Sequence, residues 1–190
     1  SMGEQYRTLD GFLRRFITKQ HVFFVATAPL DRTRHLNLSP KGLNTLRIID
    51  EKRIAYLDHV GSGAETIAHL RENGRIVVML CAFDGPPKVV RLHGTGEVVE
   101  PEDDNWKALR QHFPATPGGR AIINIDVHRM SDSCGFGIPE FKFVRERTQL
   151  PDWTAKKKEN GLRVYQRENN SQSIDGMPAL RWVANQSTKE

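Results

Sequence analysis

Residues 88–100 read Lys-Val-Val-Arg-Leu-His-Gly-Thr-Gly-Glu-Val-Val-Glu. Apolar and β-branched residues dominate both halves of this run, as in a strand, and Gly94 and Gly96 interrupt it. Glycines inside a strand are typical of a bend or bulge, where the backbone turns or another backbone approaches closely. The stretch therefore predicts one long strand that bends at the corner of a β-barrel.

Further strand patterns lie on both sides of this run. The first, His21 to Ala28, is β-branched and aromatic and is followed directly by a proline. The others fall at about 35–41, 45–49, 53–58, 75–83 and 121–127. Only two short helical patterns, near 63–73 and 102–113, lie between them, so strands and helices do not alternate as in a doubly wound parallel sheet. We expect a mainly β (α+β) fold built on a closed or nearly closed antiparallel barrel.

Helical patterns occur at both ends of the chain. Five apolar residues at helical spacing, Leu9, Phe12, Leu13, Phe16 and Ile17, predict a helix near 5–20. Beyond Pro151 the composition becomes polar, with a helical pattern from Trp153 to Gln166. Four later apolar residues are expected to pack onto the barrel or a partner subunit: Ile174, Met177, Leu180 and Trp182. The predicted organisation is a barrel domain over residues 1–150 and a C-terminal extension over 151–190.

Charge and composition exclude several classes of protein. The chain of 190 residues carries a formal net charge of +5, which permits an acidic partner or a phosphorylated ligand. Its basic residues are dispersed, so nucleic acid is not the expected partner. No apolar stretch is long enough for a membrane span, and no signal peptide is recognisable at the start. The two cysteines form no CxxC pair, which favours a reducing compartment, and we expect a cytoplasmic location.

A candidate anion site follows the strand near 53–58, where a glycine loop leads into a helical pattern. Helix N-termini present free N–H groups, and Ser62, Gly63 and Thr66 could bring hydroxyl donors and a close backbone to a phosphate. The loop lacks the third glycine of a dinucleotide fingerprint and the Gly-Lys-Ser/Thr of a P-loop. An alternative is that Ser62 caps a purely structural helix.

Two other segments are candidates for ligand contacts. Residues 37–42, Asn-Leu-Ser-Pro-Lys-Gly, offer amide, hydroxyl and ammonium groups, although they also suit a surface turn. Residues 131–139 place Cys134 among glycines and could equally form a chain reversal. The seven histidines show no metal-ligand spacing, and no Gly-x-Ser-x-Gly motif is present. The acids of residues 100–104 are interpreted as the start of the helix near 102–113.

The order of these segments carries a resemblance to a known family. The quoted segments are HVFFVATA (21–28), NLSPKG (37–42), RIAYLD (53–58), GSGAETIAHL (61–70), NGRIVVML (73–80) and RLHGTGEV (91–98). In this order they resemble the pyridoxamine 5′-phosphate oxidase-like family of FMN-binding split barrels, over roughly residues 20–130. The later segments SCGFGIP (133–139) and SIDGMPAL (173–180) resemble a smaller subgroup of that family.

The resemblance implies a homodimer of six-stranded antiparallel split barrels with FMN bound between the subunits. It implies that β-strand residues and the loop before the helix hold the cofactor, and that Ser133 and Cys134 reach a flavin of the other subunit. The candidate cofactor contacts are Asn37, Leu38, Ser39, Lys41, Tyr56, Ser62, Gly63, Thr66, Arg91, Ser133 and Cys134. No metal is implied, and no catalytic side chain is assigned.

Two departures from the family pattern bear on the activity. Glu65 and Thr66 stand where the biosynthetic oxidase has two adjacent basic residues, so a phosphate needs cations from elsewhere in the chain. The C-terminal Arg-x-His substrate clamp is also absent, which argues against vitamin B6 oxidation. The resemblance therefore implies an FMN-dependent oxidoreductase of unassigned small-molecule substrate, and the alternative is a flavin- or haem-binding protein without turnover.

Overall fold

The structure, a computed structural model, describes residues 3–183. In this part of the chain eight strands and four helices follow one another. The strands are β1 (Gln5–Tyr6), β2 (Phe23–Thr27), β3 (Asn37–Lys41), β4 (Leu46–Ile48), β5 (Arg53–His59), β6 (Arg75–Cys81), β7 (Val89–Val99) and β8 (Gly119–Ser133). The helices are α1 (Gly11–Lys19), α2 (Glu65–Asn73), α3 (Trp106–Arg110) and α4 (Gln149–Asn169).

All the strands form one antiparallel sheet in the order β3-β2-β6-β7-β8-β5-β4, and β1 pairs with β8. In a flat sheet the two edge strands, β3 and β4, would lie about 29 Å apart, at about 4.8 Å per strand. Only residues 42–45 connect them, and such a connection spans at most about 17 Å. The sheet must therefore curl until its edges approach, which gives an open half-barrel. The predicted mainly β fold is confirmed.

The seven strand patterns of the sequence correspond to β2–β8. Strand β1 was not predicted, because its two residues are too few to show a periodic pattern. The helix predicted near 5–20 begins only at Gly11. Strand β8 extends to Ser133, beyond the predicted end near 127, because β7 pairs with its polar second half. The helix predicted near 102–113 is reduced to Trp106–Arg110.

The bend predicted in residues 88–100 is confirmed. The pairing of β7 with β8 shifts register between His93 and Gly94. A Cβ atom at Gly94 would lie 2.3 Å from the carbonyl oxygen of Asp126, so no larger residue fits this crossing without a backbone shift. The glycine thus allows β7 to continue from one part of the curled sheet into the next.

The core lies inside the curl and is closed by helices. Alternate residues of the strands point inward, among them Val25, Val78 and Leu92, which are fully buried. The apolar face of α1, with Leu13 and Ile17, packs against this core. Helix α2 covers a further part and ends at Gly74, whose φ of 70° is the left-handed conformation that terminates many helices.

The C-terminal extension returns onto the barrel of its own chain. Helix α4 changes direction at Lys158, where φ is 56° and ψ is 173°. After α4, Met177, Leu180 and Trp182 enter the main core, as the sequence predicted. Ile174 does not, and it is 71% exposed. It lies in the tight turn closed by the hydrogen bond from Gly176 N to Ser173 O, which turns its side chain to solvent. Residues 184–190 of the predicted extension lie outside the described residues.

Glu100 anchors this extension, in contrast to the prediction that it begins a helix. Its side chain is 2% exposed and forms an ion pair with Arg71. The carboxylate also accepts hydrogen bonds from the backbone N–H groups of Arg181 (2.9 Å) and Trp182 (3.2 Å). Because these partners are 81 and 82 residues away in sequence, no local pattern could reveal the role.

Candidate functional site

Five of the predicted contact residues meet on the inner side of the curled sheet. They lie where β2, β3, β5 and the start of β8 approach the first turn of α2. Together with four neighbouring residues they form a group that we call the polar cluster. It comprises Thr27, Asn37, Ser39, Lys41, Tyr56, Asp58, Thr66, His69 and Arg120.

Asn37 connects the uncharged members of the polar cluster. Its Nδ2 donates to Thr66 Oγ1 at 2.8 Å and to Thr27 Oγ1 at 3.2 Å, while its Oδ1 accepts from Ser39 Oγ at 3.0 Å. Thr27 Oγ1 lies 2.8 Å from His69 Nδ1, and the tautomer of the ring decides which of the two atoms donates. Burial lowers the pKa of His69, in agreement with a neutral ring. The Thr66 hydroxyl also lies close enough to the Tyr56 hydroxyl to lower the pKa of that phenol.

Three charged residues complete the polar cluster. The fully buried Asp58 accepts from Lys41 Nζ at 3.0 Å and from Arg120 Nε at 2.8 Å. Burial alone would raise the pKa of Asp58, but Arg120 and Lys41 outweigh it and lower that pKa to about 2. Two cations against one carboxylate leave the cluster with one net positive charge. This charge can attract an anion, and the Glu65 carboxylate beside Gly63 opposes it at the glycine loop.

Arg120 fixes the glycine loop that precedes α2. Its Nη1 donates to the carbonyl oxygen of Gly63 at 2.8 Å, and the guanidinium is only 4% exposed in spite of its charge. Sequence reasoning missed this residue because a single arginine before a strand forms no motif. The available signal was Asp58, a carboxylate inside an apolar strand that requires a buried cation as its partner.

The first turn of α2 lies next to this loop. The N-cap is Ala64, which has no capping side chain, so the first N–H groups of the helix receive no side-chain cap. Ser62 is exposed and does not cap the helix, which makes the alternative interpretation of Ser62 wrong. Glu65 lies in this turn, and its Oε1 accepts a hydrogen bond of 3.4 Å from the backbone N–H of Ile174.

Tyr56 forms the floor of the polar cluster. The residue is fully buried, its ring packs edge-on against Phe23, and Lys41 Nζ lies 5.8 Å from the ring centroid. Its hydroxyl has no hydrogen-bond partner of normal geometry within residues 3–183. Burial raises the pKa of Tyr56, and the charge of Asp58 adds to this effect. The phenol is therefore a neutral group with an unused hydrogen-bond capacity.

Ser62 and Gly63 lie in the glycine loop, and the other predicted contacts lie away from the polar cluster. Leu38 alternates with Asn37 and Ser39 along β3, so its side chain points away from the polar cluster and is 69% exposed. Arg91 stands in one row with Met79 across the paired strands, and its Nη1 donates to Ser133 Oγ at 3.2 Å. Cys134 follows directly and is a half-buried free thiol. Within one chain the structure does not bring these residues to the polar cluster.

Over residues 3–183, no group of three or more His, Cys, Asp or Glu side chains is arranged to hold a metal ion. In the same part of the chain, no helix combines the length and apolar character needed to cross a bilayer.

Similar proteins place the chain in a family. The sequence profile described as pyridoxamine 5′-phosphate oxidase matches residues 9–134. The pyridoxamine 5′-phosphate oxidase family protein ustO of Aspergillus flavus is 39% identical over 194 residues, covering 92% of this chain and 77% of ustO.

Solved structures share the fold. A HupZ variant of Group A Streptococcus aligns with a TM-score of 0.54 and 22% identity, covering 66% of this chain and 99% of HupZ. A protein of Lactobacillus delbrueckii, described as a putative pyridoxamine 5′-phosphate oxidase, aligns with a TM-score of 0.50 and 17% identity, covering 68% and 98%. These structures show the fold alone, whereas the profile match and the similarity to ustO show that the chain belongs to the pyridoxamine 5′-phosphate oxidase family.

Proposed function

We propose that this chain is a flavoprotein that binds FMN at the polar cluster and catalyses an oxidoreduction of a small molecule. The observation that carries the proposal is the composition of the cluster around the start of α2. An uncapped helix N-terminus, the Thr66 hydroxyl and the cations Arg120 and Lys41 lie around one glycine loop. These are the groups that a phosphate monoester requires.

The polar cluster also supplies the cations that the start of α2 lacks. Glu65 and Thr66 provide no cation at the helix start, whereas Arg120 and Lys41 provide two from β8 and β3. Asp58 neutralises one of these charges and holds both side chains in place. A phosphate would therefore meet two cations, helix N–H groups and a hydroxyl, and its binding would require the Glu65 carboxylate to turn away from Gly63.

The residues of β3 and β5 suit the rest of a flavin. Asn37, Ser39 and Lys41 share the inner face of the edge strand β3, which leaves polar groups for the heteroatoms of a ring system. The unpartnered Tyr56 hydroxyl lies beneath them. When bound, FMN supplies the hydride or electron transfer, and the protein supplies position and electrostatics.

We propose further that two chains form a dimer through the outer side of the sheet. On β3 and the loop before it, Leu30, Leu36 and Leu38 are between 64% and 79% exposed, an unusual concentration of open apolar side chains. Arg91 and Ser133 lie on the same side of the sheet and would come close to a flavin of the partner subunit. Light scattering should give about twice the chain mass of 21.6 kDa. A monomeric mass at micromolar concentration would contradict this proposal.

Loss of the Thr66 hydroxyl tests the cofactor site. Thr66→Val keeps the shape of the side chain and removes one hydrogen bond to an ionised phosphate, so FMN should bind about tenfold or more weakly. Thr18→Val, on the exposed face of α1, is the matched control and should bind FMN normally. Fluorescence titration of FMN gives the affinities, and thermal melting shows that both variants fold. Equal FMN affinities of Thr66→Val and the parent protein would show that the phosphate binds elsewhere.

Catalysis is tested separately from binding. The FMN-loaded protein is mixed anaerobically with NADH, NADPH and a panel of small reductants, and the flavin absorbance is followed. Reduction within seconds by one donor, with reoxidation by an acceptor, would establish an oxidoreductase. If the protein binds FMN or haem tightly and no donor reduces the flavin, the alternative of a binding protein without turnover is favoured.

A further inference from the structure

A large groove adjoins the polar cluster, with which it shares Lys41. Its volume is about 1510 Å³. Helix α1, strand β2, the end of β3 and the loop of residues 82–88 form its floor and sides. Residues 139–148, which we call the strap, form neither helix nor strand and extend along its open side.

The strap is fixed to the barrel at two aromatic contacts. The backbone N–H of Phe141 donates to the carbonyl oxygen of Phe83 at 2.8 Å, and the two rings lie 5.5 Å apart. Phe143 stacks on the ring of His21 with a centroid distance of 3.6 Å and an angle of 6° between the planes. Even so, the two strap phenylalanines are 60% and 45% exposed. Each ring therefore keeps a free surface for another apolar group.

The groove carries a large excess of positive charge. Seven lysines and arginines line it against two acids, Asp84 and Glu146. Lys41 and Lys88 are paired with Asp58 and Asp132. Within residues 3–183 the other five cations have no carboxylate at ion-pair distance: Arg15, Lys19, Lys142, Arg145 and Arg147.

This combination identifies the chemistry of a ligand. Mutual repulsion among unpaired cations is relieved by an anion, and aromatic and proline side chains next to them favour a flat apolar body. Phe24, Pro40 and Pro86 supply such surface on the barrel side. A purely apolar ligand would leave the charges uncompensated. A small inorganic anion would leave the apolar side chains of the groove in contact with water.

We propose that the groove binds an organic anion that joins a planar apolar body to a carboxylate, sulfonate or phosphate. Its rings lie against the strap phenylalanines, and its charge lies among Lys142, Arg145 and the cations of α1. Binding at the groove does not depend on the flavin. Lys41 belongs both to the groove and to the polar cluster, so a bound anion would lie beside a flavin there as its substrate. Only that last role rests on the proposed function.

Two fluorescent probes of nearly equal shape test the proposal. 8-Anilinonaphthalene-1-sulfonate carries an anionic group, and N-phenyl-1-naphthylamine lacks it. Both are titrated into the full chain, with and without added FMN. The sulfonate is expected to bind more tightly, and added salt should weaken its binding alone because salt screens exposed charges.

Variants assign the binding to the groove. Lys142→Glu/Arg145→Glu reverses two charges of the strap and should weaken the sulfonate about tenfold while leaving the neutral probe unchanged. Arg32→Glu/Lys156→Glu makes the same change in net charge at two exposed residues that do not line the groove, and should leave both affinities near the parent values. Phe143→Ala should weaken both probes because it removes a ring of the strap.

Several outcomes would overturn the proposal. The first is that the sulfonate does not bind the parent protein. The second is that both double variants weaken sulfonate binding equally. The third is that Phe143→Ala binds both probes as tightly as the parent protein. Loss of neutral-probe binding in Lys142→Glu/Arg145→Glu would also overturn the proposal. It would show that this variant disturbs the shape of the groove and not only its charge. The probe affinities are measured on protein without FMN as well, so a failure of flavin binding would leave this result intact.

Discussion

Asp58 offers the most direct test of the polar cluster. Asp58→Asn keeps the size of the side chain but removes the negative charge that both Lys41 and Arg120 contact. Arg120 is 4% exposed and cannot exchange its lost partner for water. The substitution therefore leaves a buried charge without compensation, and the folded state should lose stability.

The size of the effect follows from two independent considerations. The lowering of the Asp58 pKa from 3.8 to about 2 corresponds to about 2 kcal/mol in favour of the ionised form. Loss of one partner from a buried ion pair costs about 3–5 kcal/mol in other proteins. We expect Asp58→Asn to lower the free energy of unfolding by about 2–5 kcal/mol. Asp58→Asn/Arg120→Met, which removes the unpaired charge, should cost clearly less than the two single variants together.

Urea denaturation at one protein concentration gives these free energies. The control is Asp50→Asn with Arg53→Met, whose ion pair is 2.9 Å long but roughly half exposed, and which should contribute less than about 1 kcal/mol. A loss of less than about 1 kcal/mol for Asp58→Asn, or strict additivity of its cycle with Arg120→Met, would refute the reasoning.

Three further predictions follow from the structure. Because the pKa of Asp58 is lowered on folding, its contribution to stability should be complete above pH 3.8 and be lost as the pH falls toward 2. In an acid titration followed by circular dichroism, Asp58→Asn should lack this loss of stability. Leu180→Ala removes a 1% exposed core side chain and should cost about 2–5 kcal/mol in the same urea assay, whereas Ile174→Ala, at an exposed position, should cost less than about 0.5 kcal/mol. Glu100→Gln should speed hydrogen exchange at the amides of Arg181 and Trp182, which its carboxylate binds, and unchanged exchange would show that the apolar contacts alone hold the extension.

The strands could be predicted because their signal is local. Alternation of apolar residues and the glycines of residues 88–100 reveal β7 and its bend without knowledge of any partner. The order of short motifs sufficed to indicate the family, because each motif is a continuous segment. The inward positions of Asn37, Ser39 and Lys41 follow from the same alternation once β3 is assigned.

Other features depend on pairs of residues that only folding brings together. Asp58 and Arg120 are 62 positions apart, and Glu100 and Trp182 are 82 apart. An ion pair has no period along the chain, so the residues that stabilise the candidate phosphate site were invisible in the sequence. The same holds for the groove, whose cations come from α1, β3, the loop of residues 82–88 and the strap.

The sequence by itself thus determined the presence of strands β2–β8, the bend of β7 and the family, since each rests on short-range pattern. The tertiary structure alone decided which predicted contacts share a site. It separated Arg91 and Ser133 from Asn37 and Thr66, because opposite faces of one curled sheet cannot meet within a chain. It also supplied Arg120, because the cost of burying Asp58 had to be offset by a cation from a distant strand.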